Sequence, residues 1–439
     1  MSLAGSVIVG LALLGTGLVA LSLWANPVLR RISLRNIGRR KGSTLLVIAG
    51  SMVGTALIAG ALVIGDTSRR LDLDIVYRHL GEIDEVVVLS GSQGRGDVYF
   101  DRRLVEERIT LERLNAETES SQGEALVDGL LPVIQVEVPV QKADPVTGKP
   151  ILVEPRVMLV ALDWEELARF GRRPPSLTPP AQGEILASRG LARELELDPG
   201  DTLQVFAGNR PHTFTVREVV EGQGISGYRN PWDNIPGTML MNLEDGQAVF
   251  AAEADRINAI FISNAGGVID SFQHTPAVRE ALGTLLQDAD PRGDFQVRAF
   301  KPDIMEENFM GEMFLTISSF GIVAGIMLVL NIYTMLAEER RTEMGVMRAV
   351  GVRRGHLVRL YLYEGLLYSL GASLIGVLVG LGLARLVVWG MNEFTWFAAS
   401  GSQLRLEFTV KPLSLVVAAA AAMVLTLGTV LFTSLRISG

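Results

Sequence analysis

A charged stretch between two apolar runs is the most informative part of the chain, and it reads Glu338-Glu-Arg-Arg-Thr-Glu-Met-Gly-Val-Met-Arg-Ala-Val-Gly-Val-Arg-Arg-Gly355. Apolar Met344, Met347 and Val350 give this stretch one apolar face, which predicts a short amphipathic helix. Gly351 follows where a helix C-cap glycine belongs. Such a helix between two membrane spans is well placed to dock a partner. The alternative is a basic loop that only sets the topology.

Five apolar runs are long enough to cross a hydrocarbon core of about 30 Å as helices. They are Ala4–Leu23, Leu45–Ile64, Phe314–Leu336, Leu360–Val388 and Leu413–Leu435. Since 48% of the 439 residues are apolar and concentrate in these runs, the chain is predicted to be a membrane protein. The chain has no cysteine, which excludes disulfides, cysteine-ligated zinc and a thiol nucleophile.

Two basic clusters predict the orientation of the spans. The loop between spans one and two carries Arg30, Arg31, Arg35, Arg39, Arg40 and Lys41. The loop between spans three and four carries Arg340, Arg341, Arg348, Arg353, Arg354 and Arg359. The positive-inside rule places both loops in the cytoplasm, and it places the insert of roughly 250 residues and the loop 391–411 outside. The C-terminus is then cytoplasmic.

The insert differs in composition from the rest of the chain. Residues 67–312 hold 41 acidic and 24 basic side chains, whereas the remainder of the chain is net basic. An acidic bulk with small basic loops argues against nucleic-acid binding. Short β-like runs and helical patterns predict a mixed α/β domain. The β-like runs are Val86–Leu89, Val133–Val140, Ile151–Val160, Thr202–Phe206 and Thr213–Val220, and the helical patterns are Leu191–Leu197 and Thr275–Leu286.

The first apolar run has three interpretations. It lacks a positive charge before it, and its basic cluster follows, which is the reverse of a secretory signal peptide. We therefore expect an anchor with its N-terminus outside, with a signal peptide or a membrane-surface helix as the alternatives. The next stretch, Val28–Lys41, mixes apolar residues with arginines and predicts an amphipathic helix along the inner interface.

Two pairs of glycines recur at four-residue spacing within predicted spans. Gly50 and Gly54 lie in span two, and Gly376 and Gly380 lie in span four. Small residues at this spacing let helix backbones approach closely in lipid. The pattern indicates a packing face between spans or protomers, although ordinary glycine use in membrane helices would also produce it.

The charged stretch resembles the E-R-x-x-E-[IM]-G-[IVM]-[ML]-R-A-[LIV]-G hallmark of FtsX-like ABC permeases. The hallmark is matched at Glu339, Arg340, Glu343, Met344, Gly345, Met347, Arg348, Ala349 and Gly351. The resemblance implies that this loop includes the coupling helix that receives the stroke of a cytoplasmic ATPase.

Three further regions support the resemblance, which extends from about Ser33 to Leu435. Residues 35–46 resemble the elbow that leads into the first core span, and Pro236–Asn242 resembles a later strand of the outer domain. Residues 183–202 are similar to a MacB-type periplasmic core, in which a helix leads to a tight Pro-Gly-Asp turn and a strand. The first span is additional to the minimal four-span core, and a second half could follow Gly439.

Other motifs predict no chemistry in this chain. It has no G-x-x-x-x-G-K-[ST], so we expect no cofactor here and expect ATP and Mg²⁺ to be bound by a partner ATPase. The four histidines are isolated in sequence, so no metal site and no catalytic residue are predicted. Glu364 and Arg385 lie within span four, where ionisable groups are costly and are candidates for function. Each could instead be interfacial.

The predicted fold class is a membrane protein with an α-helical transmembrane domain, four core spans plus an extra N-terminal span, and a large α/β extracytoplasmic domain between the second and third spans. The predicted segments are an anchor (1–27), an elbow helix (28–42), a span (43–65), the MacB-like domain (66–312), a span (313–337), the coupling loop (338–359), a span (360–389), an outer loop (390–412) and a span (413–436).

The resemblance implies the permease subunit of an ABC transporter in the prokaryotic cell membrane. Its implied partners are an ABC ATPase, a second permease unit (homodimer, heterodimer or second half), membrane lipid and an extracytoplasmic adaptor or hydrolase. By mechanotransmission it would export or extract lipid, lipoprotein, peptide or drug. The alternative is a non-transporting FtsX-type relay that activates a cell-wall hydrolase. A membrane-anchored enzyme is disfavoured because no catalytic constellation occurs.

Overall fold

The computed structural model describes residues 3–438 with gaps. The gaps are 29, 32, 34, 36–40, 91–97, 119–123, 144–148, 174, 209, 231–234, 252, 254, 290–293, 306–315, 317–318, 321–322, 325, 329, 333, 336–337, 339–341, 343–344, 347–348 and 394–405. The chain divides into two compact units. Unit 1 comprises Met1–Arg70, Phe309–Phe394 and Arg405–Gly439, and unit 2 comprises Leu71–Asn308 with Thr395–Leu404.

The α-helices of the described residues span both units. In chain order they are α1 Leu3–Ala25, α2 Lys41–Ile75, α3 Arg103–Glu107, α4 Leu111–Glu117, α5 Trp164–Leu167, α6 Arg189–Glu194, α7 Leu243–Gly246, α8 Gly267–Asp270, α9 Thr275–Ala289, α10 Phe300–Met305, α11 Arg354–Glu393 and α12 Pro412–Ser438. Described residues between 316 and 349 are also helical. Short π-helices occupy Val76–Leu80 and Gln247–Ala251, and 3-10 helices occupy Gly224–Gly227 and Ser271–His274.

Four helices in the described part of the chain are long and apolar enough to cross a membrane. They are Ser6–Ala25, Thr44–Leu80, Gly355–Glu393 and Pro412–Phe432, and they overlap predicted spans one, two, four and five. The predicted third span, Phe314–Leu336, is described only in part, and its described residues are helical. Much of the predicted elbow helix, Val28–Lys41, lies outside the described residues.

Helix α2 runs well beyond the apolar stretch that predicted span two. The apolar run ends at Ile64, whereas α2 continues through charged residues to Ile75. Arginine is a good helix former, and the continuation still has an apolar face, on which Leu71 and Ile75 are buried. Apolarity therefore marks where a membrane segment ends, but it does not mark where the helix ends.

Unit 2 is built on a nine-stranded sheet. Its strands are β1 Glu85–Leu89, β3 Val127–Ala143, β4 Pro150–Leu162, β5 Glu184–Ser188, β6 Thr202–Ala207, β7 Arg210–Val220, β8 Thr238–Asn242, β10 Ala259–Asn264 and β11 Phe295–Arg298, while β2 Phe100–Asp101 and β9 Arg256–Ile257 pair separately. The strand order is β11-β1-β10-β3-β4-β8-β5-β7-β6, with a further pairing between β3 and β6. Parallel pairing occurs between β4 and β8 and between β5 and β7, and the other ladders are antiparallel.

All five β-like runs of the sequence lie in strands of the sheet. The strands β5, β10 and β11 are additional, and β8 lies within the segment Pro236–Asn242 that the resemblance marked as a strand. Strand β5 reads Glu-Ile-Leu-Ala-Ser, whose residues favour a helix as readily as a strand. It pairs with β7 and β8, and four of its five residues are buried. Burial on both faces removes the alternation that identifies a strand.

The core of unit 2 lies between the sheet and the helices that cover one face. Ile260 and Ile262 of β10 share one apolar cluster with Val278 and Leu282 of α9. On the opposite face, Phe261 packs against Tyr228, with 4.5 Å between the ring centroids. Because both faces of this strand are covered, every residue of β10 is buried.

Candidate functional site

The predicted glycine pair of span four lies where α11 contacts α2. A Cβ atom added at Gly376 would lie 2.5 Å from Thr55 Cβ and 2.8 Å from the Met52 carbonyl oxygen. A Cβ atom added at Gly380 would lie 2.5 Å from the Ala56 carbonyl oxygen. These distances are shorter than van der Waals contact, so the two helices approach at backbone distance.

The glycines of span two are placed differently. A Cβ atom added at Gly50 would overlap the Ile332 side chain, and Gly54 is buried. Two other glycines lie at contacts between helices that the spacing pattern did not single out, a tight one at Gly365 and one of ordinary van der Waals distance at Gly60. Gly365 of α11 faces Val430 of α12, and Gly60 of α2 lies opposite the Gly380 carbonyl oxygen. A contact between helices depends on how each is rotated about its axis, which spacing within one helix does not report.

The coupling loop is described only in part. Gly345 and Ala349 are helical, and Gly351 has a φ of +93°, which is the left-handed conformation expected of a glycine after a helix. The other six predicted coupling residues lie outside the described residues: Glu339, Arg340, Glu343, Met344, Met347 and Arg348.

The described part of this loop carries exposed apolar side chains. Val346 is 61% exposed and Val350 is 81% exposed, and the Val350 N–H donates to the Val346 carbonyl oxygen at 3.1 Å. The two valines are one helical turn apart and form an apolar strip within unit 1. Such a strip can accept the apolar surface of another protein.

The two ionisable residues of span four have different environments. Glu364 is 2% exposed, and next to it the Tyr363 hydroxyl lies 2.7 Å from the Ser22 hydroxyl of α1. Arg385 is exposed, and its guanidinium lies 5.9 Å from the Phe408 ring centroid. The hydrogen bond between the Tyr363 and Ser22 hydroxyls joins α1 to α11 within unit 1.

Unit 2 contains a buried ion pair close to both of its connections to the membrane helices. Asp84 follows the π-helix that continues α2, and Lys301 lies in α10, which precedes the predicted third span. Lys301 Nζ lies 2.8 Å from Asp84 Oδ1, and both side chains are 0% exposed. Asp84 also accepts hydrogen bonds from the Ser271 hydroxyl at 2.6 Å and the Asn264 N–H at 2.8 Å. The ion pair therefore joins the segment that enters unit 2 to the segment that leaves it.

The neighbouring Glu85 is fully buried beside this ion pair. Its Oε1 accepts from the Asn264 side-chain amide at 2.8 Å, while its Oε2 has no hydrogen-bond partner among the described atoms. Burial, and then the charge of Asp84, raises the pKa of Glu85 to about 8. The carboxyl group is therefore protonated at neutral pH. Burial also raises the pKa of Asp84, and the Lys301 ammonium opposes that shift.

A cavity of about 450 Å³ lies in unit 2 beside the π-helix after α2. Apolar side chains of Phe170, Leu177 and Ile225 line it together with polar groups such as Glu82. The Glu82 carboxylate accepts the Arg173 N–H at 3.1 Å, which holds Arg173 at the edge of the cavity. The mixed lining is typical of sites for amphiphilic ligands.

Apolar helices of membrane-spanning length and an α/β unit inserted between them define a multi-pass membrane protein. Residues 315–439 match the family described as FtsX-like permease C-terminal. The macrolide export ATP-binding/permease protein MacB of Psychrobacter arcticus is 25% identical over 174 residues, which are 35% of this chain and 26% of that protein. The MacB protein of Neisseria gonorrhoeae is 37% identical over 93 residues, which are 20% of this chain and 14% of that protein.

The crystal structure of the periplasmic region of MacB from Actinobacillus actinomycetemcomitans is 13% identical to this chain, with a TM-score of 0.28. The matched region covers 52% of this chain and 93% of the chain in that crystal structure. The matched segments span about a quarter or less of the length of the sequence relatives named above. Residues 315–439 are thus similar to FtsX-like permeases, and the sequence relatives named above are MacB ATP-binding/permease proteins.

Proposed function

We propose that the chain couples ATP hydrolysis by a separate cytoplasmic ABC ATPase to movement of unit 2, and so exports or extracts a lipid, lipoprotein, peptide or drug. The observation that carries the proposal is the family match over residues 315–439, which includes the whole predicted coupling loop. The exposed valine strip on that loop supports docking of the ATPase.

The path of the movement is also part of the proposal. Helix α2 is unbroken over 35 residues, and at 1.5 Å per residue it is about 50 Å long, which exceeds a hydrocarbon core of about 30 Å. A displacement of such a helix would reach the segment that holds Asp84. Because Lys301 binds Asp84, the segments that enter and leave unit 2 would move together.

The orientation follows from charge. We infer that the Arg/Lys clusters near α2 and α11 are cytoplasmic and that unit 2 is extracytoplasmic, in a prokaryotic cell membrane. The permease would act as a dimer of such units with two ATPase subunits. The cavity of about 450 Å³ in unit 2 supports transport, since it has room for an apolar group of a substrate.

The docking of the ATPase is tested by Val350→Asp. A charge on the exposed strip should reduce stimulated ATPase activity at least about tenfold, since burying an unpaired carboxylate in an interface costs well over 1.4 kcal/mol. The measurement is ATP hydrolysis by the ATPase that co-purifies with the permease in mild detergent, identified by mass spectrometry. Arg348→Glu should have the same effect.

The matched control is Val153→Asp, which places the same charge on an exposed valine of β4 in unit 2 (58% exposed). Equal stimulation in the Val350 variant and the control would contradict docking at the loop. Co-purification of a secreted cell-wall hydrolase with no transport adaptor would contradict transport and support the signal-relay alternative.

A further inference from the structure

Unit 2 contains a second, smaller cleft that is rich in arginine. It has a volume of about 140 Å³, which is room for a small anionic group, since a water needs only about 10–15 Å³ by the same measure. Four arginines line it with a single carboxylate, Glu221: Arg78, Arg189, Arg193 and Arg229. This composition is the reverse of the insert as a whole, which is strongly acidic.

Arg229 is the buried member of this group. Its side chain is anchored by two hydrogen bonds, from Nη1 to the Ile235 carbonyl oxygen and from Nη2 to His79 Nε2, the latter at 3.3 Å. The residue is 9% exposed, and it has no carboxylate partner among the described residues. A guanidinium has five N–H donors, so these two hydrogen bonds use only part of its capacity, and Arg229 lines the cleft.

His79 does not neutralise that charge. Its Nε2 accepts from Arg229, and its Nδ1 lies 3.2 Å from the Gly227 carbonyl oxygen, so Nδ1 carries the proton and the ring is neutral. Burial lowers the pKa of Arg229 to about 10, which still leaves the guanidinium protonated at neutral pH. A buried cation without a carboxylate is costly, and an anion in the cleft would offset that cost.

The remaining lining provides further donors and a close backbone wall. Ser188 is 2% exposed, and its Oγ accepts the Thr238 N–H at 2.8 Å, so the hydroxyl proton is available to another group. The Gly237 backbone lies so close to this hydroxyl that an added Cβ atom would be 2.5 Å from Ser188 Oγ, so this part of the lining is backbone and carries no side chain. Since Gly190, Gly222 and Gly227 also line the cleft, a ligand would meet backbone and hydroxyl groups beside the guanidinium groups.

The exposed Arg189 and Arg78 form ion pairs with carboxylates, and water screens both pairs. Arg189 lies 2.6 Å from Glu221, with side chains 61% and 65% exposed, and Arg78 lies 3.3 Å from Asp74. Such exposed pairs contribute little and can be exchanged for a ligand. A carboxylate has two oxygens, which one guanidinium can satisfy, whereas a phosphate group presents more oxygens to several guanidiniums. The number of arginines therefore favours phosphate.

We propose that the Arg229 cleft is a binding site for a phosphate group, presented by a soluble phosphate compound or by a phospholipid headgroup. The site lies entirely within unit 2. It does not depend on the proposed coupling to an ATPase, and its readout is separate from ATP hydrolysis.

The test is calorimetric titration of the full chain, in a non-ionic detergent without phosphate, with inorganic phosphate. We expect saturable binding with a Kd of about 1 mM or tighter. Arg189→Gln and Arg193→Gln should each weaken binding at least about fivefold, because each removes a charged donor to the anion. Since Arg229 also anchors Ile235, its replacement would test folding as well as binding, and the conclusion rests on the other two variants.

Arg217→Gln is the matched control, because it also removes an arginine that pairs with a glutamate, Glu184 at 3.3 Å, but it does not line the cleft. Its phosphate affinity should equal that of the unmodified chain. Absence of saturable binding up to about 10 mM phosphate, or equal losses in the control and the cleft variants, would overturn the proposal.

A second titration distinguishes the two sources of phosphate. A short-chain phosphatidylglycerol, kept below its micelle concentration, is added to the protein with bound inorganic phosphate. Displacement that weakens in the Arg189 and Arg193 variants identifies a lipid headgroup as the natural ligand. Phosphate binding without displacement identifies a soluble phosphate compound, and either result upholds the site.

Discussion

Glu85 illustrates, at the scale of one residue, how burial in unit 2 controls ionisation. Its carboxyl group has a pKa of 4.5 in the unfolded chain and about 8 when folded. Between these pH values the folded protein keeps a proton that the unfolded chain has lost. The free energy of unfolding therefore falls as pH rises from about 4.5 to 8, by up to about 1.4 kcal/mol per pH unit.

Glu85→Gln should reduce this dependence on pH. The glutamine keeps an oxygen that can accept from Asn264 but cannot ionise, so the variant should be more stable than the unmodified chain at pH 8 and similar to it at pH 4.5. The measurement is the thermal midpoint of the detergent-solubilised chain across this range. Asp84 also has a raised pKa, so a smaller slope should remain. A slope equal to that of the unmodified chain would show that Glu85 is ionised when folded.

At the scale of elements, the close contact between α2 and α11 depends on the absence of side chains at two positions. Neither Gly376 nor Gly380 can accept a Cβ without displacing α2 backbone or Thr55. The spacing of the two glycines predicted a packing face but not its partner. The partner is a stretch of α2 from Met52 to Ala59. This stretch contains Gly54, yet the atoms nearest to Gly376 and Gly380 belong to Met52, Thr55, Ala56 and Ala59.

Gly380→Leu should separate these helices and lower the free energy of unfolding by about 1–3 kcal/mol, the usual cost of overpacking. Its matched control is Gly382→Leu on the same helix, where an added Cβ meets no atom within 4 Å among the described atoms. The thermal midpoints of both variants in detergent are the measurement. Equal midpoints would mean that α2 moves aside without cost.

At the scale of the whole molecule, the absence of cysteine makes the topology directly testable. Single cysteines at Thr342 and at Ile151, both exposed, should differ in labelling by a membrane-impermeant maleimide on intact cells. We expect labelling at Ile151 in unit 2 and none at Thr342 until the cells are opened, because the basic loop is retained inside. Labelling of both in intact cells would contradict the proposed orientation.

Arginines are grouped in two different ways in this molecule, as basic clusters beside the apolar runs and as the lining of the Arg229 cleft in unit 2. The role proposed for each group depends on where the chain places the arginines as well as on their charge. The clusters beside the apolar runs are contiguous in sequence and indicate topology. The cleft arginines lie on separate elements, with Arg78 in the π-helix after α2 and Arg189 and Arg193 in α6. No window of sequence contains the whole cleft, and the sequence therefore did not reveal it.

The sequence by itself predicted four of the described apolar helices of membrane-spanning length, the mixed α/β character of the insert and the family hallmark around Gly345. These are local properties, since an apolar run or a period of two is complete within one segment. Only the tertiary structure decided which distant residues meet. His79 and Arg229 are 150 positions apart, and Asp84 and Ser271 are 187 apart. Strand β5 likewise acquires its identity from two neighbouring strands, because a strand buried on both faces carries no alternating pattern of its own.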